Sequence, residues 1–132
     1  MPRSYSDRQR DGKRARDLLP AAIARVGPWC GICSLGVDRT IKWPHDHYCV
    51  PDHTIPPGRG GKTVLENIKP AHWLCNHRKR DRLQSELPAE LLEALRASVR
   101  SGQGEWDYKG VRGRLGSFTS APRRRLKPKP GA

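Results

Sequence analysis

The stretch that decides the fold is "DHTIPPGRGGKTVLENIKPAHWLCNHRKRD", residues 52–81. It gathers an Asp-His pair (Asp52, His53), Asn67, a His-x-x-Cys pair (His72, Cys75) and Asn76 within thirty residues of a strongly basic chain. A second x-x pair, "CGIC" at 30–33, lies upstream. Thiolate and imidazole at this spacing suit zinc, and two such pairs complete a closed tetrahedron of the structural kind. Cys30, Cys33, His72 and Cys75 are therefore the candidate zinc ligands. His72 and Cys75, three apart, are expected to share a helix face. Cys49 is the competing fourth ligand; without an x-x partner and in a strand pattern, it reads as a buried structural thiol. His45 and His47 are expected on the surface of the loop "WPHDH". His77 points about 100° round the helix from Asn76 and is a weaker competitor.

Composition supports a metal staple. The chain has 132 residues, of which 35% are hydrophobic, with one Phe and one Met. That is enough for a single small domain whose apolar core needs help. The N-terminal "MPRSYSDRQRDGKR" has no apolar segment of a secretory signal, and no run is long enough to span a bilayer. The expected location is the cytoplasm, where paired cysteines bind metal more readily than they form disulfides. The 26 Lys and Arg against 13 Asp and Glu leave a formal charge of +13. That imbalance favours a polyanionic partner, most simply nucleic acid, and no membrane.

Residues 1–16 are polar and Arg-rich and read as a flexible basic arm. A zinc-braced domain is expected over 17–100. It begins with a short helix whose apolar face is Leu18, Leu19, Ile23 and Val26, with Pro20 in the first turn and Gly27-Pro28 as the stop. A strand is expected to end near Thr54, a Pro- and Gly-rich loop to follow, and a second strand to run from Val64 to Ile68. Pro70 is read as the first residue of a helix reaching about Arg82. Another helix is expected from Pro88 to Val99, with Leu91, Leu92, Leu95 and Val99 on one face. Residues 101–132 read as a weakly ordered basic tail.

The oxygen donors suggest a second metal. Asp52 offers a carboxylate and Asn76 an amide oxygen, and such hard ligands favour Mg2+ or Mn2+. An ion held there would grip a phosphodiester and stabilise the leaving oxygen. His53, on the opposite strand face from Asp52, is placed to take a proton from water. Arg78, Lys79, Arg80 and Arg82 follow on the same helix and are expected to contact the nucleic-acid backbone without reading bases. No aromatic-interleaved RNA-binding motif and no helix-turn-helix is visible.

The order Asp52-His53, Asn67, Asn76, with the zinc pairs and the "GRGG…L.NI.PAH..CN..K" frame, resembles the HNH endonucleases, the ββα-metal nuclease family. The resemblance spans roughly Trp29 to Arg82. It implies an α+β fold with two strands and a helix carrying the last ligand, flanking helices and basic disordered termini. It also implies that Asn67 orients His53 or its loop. The third motif letter is Asn76 rather than His, and Arg80 stands where some relatives carry another His, so Arg80 is expected to face phosphate. The implied activity is DNA phosphodiester hydrolysis, by nicking or cutting. The phage-like frame adds a setting, host-cell cytoplasm, in which such proteins assist the terminase during genome packaging. Two rivals are a non-catalytic zinc-knuckle nucleic-acid binder and a restriction-type nuclease of the same family.

Overall fold

The computed structural model describes residues 4–102. The expected basic tail lies almost wholly outside the described residues. Three α-helices and one two-stranded sheet follow in the order α1 (Tyr5–Val26), β1 (Cys49–His53), β2 (Ile68–His72), α2 (Trp73–Lys79) and α3 (Ala89–Ser101). No helix among the described residues is long and apolar enough to cross a membrane.

α1 replaces the expected mobile arm with 22 residues of continuous helix. Its start is set locally. Ser4 Oγ accepts the Asp7 N–H at 3.0 Å and the Asp7 carboxylate accepts the Ser4 N–H at 3.3 Å, a reciprocal capping box. Ion pairs Asp7–Arg10 and Lys13–Asp17 then run along the exposed side at helical spacing. Ala15, Leu19 and Ala22 form the buried stripe. Pro20 stands well inside the helix, on its solvent side, rather than in the first turn. The stop is as expected: Gly27 adopts φ 92°, its N–H bonds Ile23 O at 2.7 Å, and a side chain there would collide with the Trp29 ring.

The strands pair antiparallel, with Cys49 opposite His72, Asp52 opposite Lys69 and His53 opposite Ile68. The second strand therefore lies later than expected, and α2 begins at Trp73 instead of Pro70. Pro70 is tolerated because its carbonyl points away from β1, accepting the Gly31 N–H at 2.9 Å. At such an outward-facing position the missing N–H removes no bond from the ladder. Pro51 sits directly opposite, so the same position is proline on both strands.

The main core contains the cysteines together with Leu19, Ile32, Leu35, Leu74, Leu95 and Val99. α3 contributes its predicted face, with Leu91 and Leu92 half-buried against the same cluster. A smaller cluster of Ala15, Ala22 and Ile68 joins α1 to the sheet. The result is a small α+β domain in which a hairpin is held between α1 and a cysteine-rich centre.

Candidate metal centre and hairpin site

Cys30, Cys33, His72 and Cys75 converge from the knuckle after α1 and from the β2–α2 junction, all buried, with their donor atoms within 4.8 Å of one another. His72 Nδ1 lies 3.4 Å from Cys33 Sγ and 3.7 Å from Cys75 Sγ. Tetrahedral zinc with ordinary Zn–S and Zn–N bonds sets that separation at about 3.5 Å. His72 Nε2 donates to Gly36 O at 2.8 Å, which fixes the ring and turns Nδ1 toward the sulfurs. The Ile32 and Cys33 N–H groups both point at Cys30 Sγ at 3.4 Å, as a knuckle that holds a thiolate requires. All four cysteines are free thiols rather than disulfides.

The electrostatics agree with a cation site. Burial alone would raise the Cys30 thiol, but hydrogen bonds from Cys33, Cys75 and His72 hold it well below the usual range. Burial would lower His72, yet its bonds to Cys30 and Cys33 and their charge push it up to about 10. Hydrogen bonds to Cys30 and Cys33, with burial, hold the Cys75 thiol well above its ordinary value, so a cation is what would let all three thiols ionise, and three thiolates with one imidazole fit zinc. His72 differs from expectation in one respect. It is the last residue of β2 and the N-cap of α2, with extended backbone, so it reaches Cys75 across a strand-helix junction rather than along one helix.

Cys49 lies outside the ligand set. It faces His72 in the strand register and is buried. Burial pushes its thiol up to about 11. His45 and His47 are not surface residues either: they are 2% and 3% exposed. His47 N–H bonds His45 Nδ1, and His47 Nε2 lies 2.9 Å from Ser98 Oγ on α3, so the loop they occupy is pinned to the domain.

At the other end of the hairpin, Asp52 and His53 close β1. Asp52 is buried, and burial pushes its carboxyl up to about 6 even though Lys79 opposes the shift. Lys79 was expected on the surface beside Arg78, Arg80 and Arg82. It is instead 1% exposed, and its ammonium donates to Asp52 Oδ1 at 3.0 Å, Asp52 Oδ2 at 3.3 Å and His53 O at 2.7 Å. The spacing held the signal, since Lys79 stands one turn beyond the buried Cys75. Both Asp52 and Lys79 border a cavity of about 320 Å3 that Lys69, Gln84 and Ser85 also line.

His53 Nε2 lies 2.9 Å from the hydroxyl of Thr63, a partner that sequence reasoning missed. Asn67 holds the loop that carries Thr63. Its Oδ1 accepts the Ile55 N–H at 2.8 Å, and its two amide protons go to Ile55 O and Lys62 O at 3.0 and 2.9 Å. Gly61 makes this closure possible, because a side chain there would sit 1.7 Å from Ile55 O.

Asn76 is half-buried on α2, one turn before Lys79. Arg78 and Arg80 are exposed. Arg82 folds back, donating to Arg78 O at 2.7 Å and Lys79 O at 3.2 Å, so it satisfies the carbonyls at the end of α2. Among the described residues, the zinc set is the one group of three or more His, Cys, Asp and Glu donors close enough to hold an ion.

No curated protein and no solved structure matches this chain. Residues 30–82 match the family model described as HNH endonuclease. Both x-x pairs, the Asp52-His53 strand end, the Asn67-clamped loop and α2 all fall inside that span. The likeness to the HNH endonucleases, a family of nucleases, is thus carried by the domain at residues 30–82.

Proposed function

We propose that this protein is a metal-dependent endonuclease that hydrolyses phosphodiester bonds in DNA, with His53 as general base and Asp52 and Asn76 as ligands of Mg2+ or Mn2+. The observation that carries the reading is that His53 and Asp52 are oriented separately. Thr63 bonds the imidazole, while Lys79 bonds the carboxylate and the His53 carbonyl from α2, the helix that also carries Asn76.

Carboxylate and amide oxygens are the donors a hard divalent ion takes, and at Asp52 the ion would have to reach a side chain that is 4% exposed and already paired with the Lys79 ammonium. A carboxylate has about four lone-pair sites and Lys79 engages one on each oxygen, so coordinating capacity is left on Asp52. The amide oxygen of Asn76 is the second protein donor, and water suits the rest of the shell. The ion would supply charge neutralisation for the phosphoryl oxygens and the leaving group. The protein's own groups do the remaining work. His53 takes the proton from the attacking water. Arg78 on α2 and Arg80 just past its end, both exposed, hold the backbone by charge, and the +13 chain adds a long-range attraction. Zinc at Cys30, Cys33, His72 and Cys75 keeps β2 and α2 in place.

Nicking of supercoiled plasmid tests the reading. The wild-type protein should nick with Mg2+ or Mn2+ and stop with chelator, and a zinc-loaded His53→Ala protein should be nearly inactive. Full activity in His53→Ala, or none in the wild type, would leave the basic zinc-knuckle binder as the better account. The phage-packaging setting and its terminase partner rest on the likeness of the motif frame alone; stimulation of nicking by purified terminase is their test.

A further inference from the structure

Two pairs of rings from distant parts of the sequence, Trp43 with Tyr48 and Trp73 with His77, meet at α2. Trp43 lies 5.5 Å from Tyr48 and 6.1 Å from Trp73, edge-on to both, and Trp73 stacks on His77 at 4.7 Å with planes 10° apart. We propose that this cluster is a stacking platform for an unpaired nucleobase, so that the preferred DNA carries a single-stranded or splayed nucleotide. The proposal rests on the nuclease reading only for the place of the cut.

The platform is rigidly mounted. Trp43 is 49% exposed, yet Ile41 before it and His45 to His47 after it are buried. The same segment caps α2, since Tyr48 O accepts the Trp73 N–H at 2.7 Å and Asp46 O accepts the Leu74 N–H at 2.8 Å. A half-exposed ring held outward by a fixed backbone beside two further aromatic rings presents an aromatic surface to a flat ligand. Trp73, Asn76 and His77 follow one another at i, i+3 and i+4, so the rings adjoin the proposed ion ligand.

Charge selects the occupant. Lys42 and Arg78, next in sequence to Trp43 and His77, are exposed and the chain carries +13, which suits a polyanion better than an apolar protein surface. Within paired DNA the faces of the bases are already stacked on one another. An unpaired base offers a π-face to a tryptophan whatever its sequence.

The test is binding without divalent ion, so that catalysis is silent. Fluorescence anisotropy would compare a blunt duplex, the same duplex with a short single-stranded flap, and a flap of abasic nucleotides. The wild-type protein should prefer the flap, and abasic residues should remove the preference. Trp43→Ala should weaken flap binding roughly tenfold and leave duplex binding unchanged, while Trp43→Phe retains most of the affinity. Equal binding of the flap by wild type and Trp43→Ala, or an equal loss on flap and duplex, would overturn the platform; zinc content verifies that each variant is folded. Flap preference in a protein that never cleaves would defeat the nuclease reading and spare the platform, and cleavage without flap preference would do the reverse.

Discussion

Lys79 Nζ stands 3.0 Å from Asp52 Oδ1 with both side chains almost wholly buried, so one ion pair joins the end of β1 to α2. With His53 O as third acceptor, all three ammonium protons are used. Removing one member leaves the other buried without its partner. Lys79→Met should therefore lower stability by about 3–5 kcal/mol, measured by urea unfolding of zinc-loaded protein. Adding Asp52→Asn to Lys79→Met should recover part of the loss, because the uncompensated charge is gone. A Lys79→Met protein as stable as wild type would show that the pair does not brace the domain.

One zinc per chain should be found by elemental analysis of protein purified without added metal. Cys75→Ser should fail to fold, since binding free energy at a structural site is folding free energy. Cys49→Ser should retain its zinc. With its thiol pushed up to about 11 by burial, Cys49 should also resist iodoacetamide at pH 8 in the native protein and react once denatured. Rapid native alkylation of Cys49, or zinc loss in Cys49→Ser, would place it in the ligand shell after all.

His53→Ala should reduce turnover by roughly two to four orders of magnitude with DNA affinity and zinc content unchanged. Asn67→Ala should give a milder defect, because it releases the loop rather than the imidazole itself. Three side-chain hydrogen bonds disappear there, so trypsin should cut faster after Arg59 or Lys62. Turnover lost in Asn67→Ala with no change in proteolysis would mean that Asn67 acts on the reaction more directly.

DNA affinity should fall steeply as salt rises and vary little among duplex sequences, the behaviour of a basic surface that contacts phosphates. A binding constant nearly flat between low and moderate salt would contradict this.

Much of the site was legible because its chemistry depends on short spacings. The x-x pairs pick out the four residues that converge, whether His72 lies on a helix or at the end of a strand. Leu91, Leu92, Leu95 and Val99 placed α3 within two residues at either end. Other features were hidden by what a single chain segment displays. Residues 5–16 have almost no apolar periodicity, and α1 extends through them on a capping box and exposed charge pairs. Pro70 resembled a helix start because the outward carbonyl that makes it acceptable in β2 depends on Gly31, thirty-nine positions away. Lys79 belonged by appearance to a run of charges, although its spacing from Cys75 pointed inward. Trp43 and Trp73 are thirty residues apart, so no local pattern could announce that they meet.

The position of His72 has a consequence for how the protein fails. The same residue ends a strand, opens a helix and would supply a zinc donor, so metal loss would not be confined to the knuckle. Releasing the imidazole frees the start of α2 and with it the Lys79 anchor of Asp52. Under zinc starvation a cell would clear misfolded chains by proteolysis instead of retaining an idle but intact protein. Abundance, rather than specific activity, would then report the zinc supply.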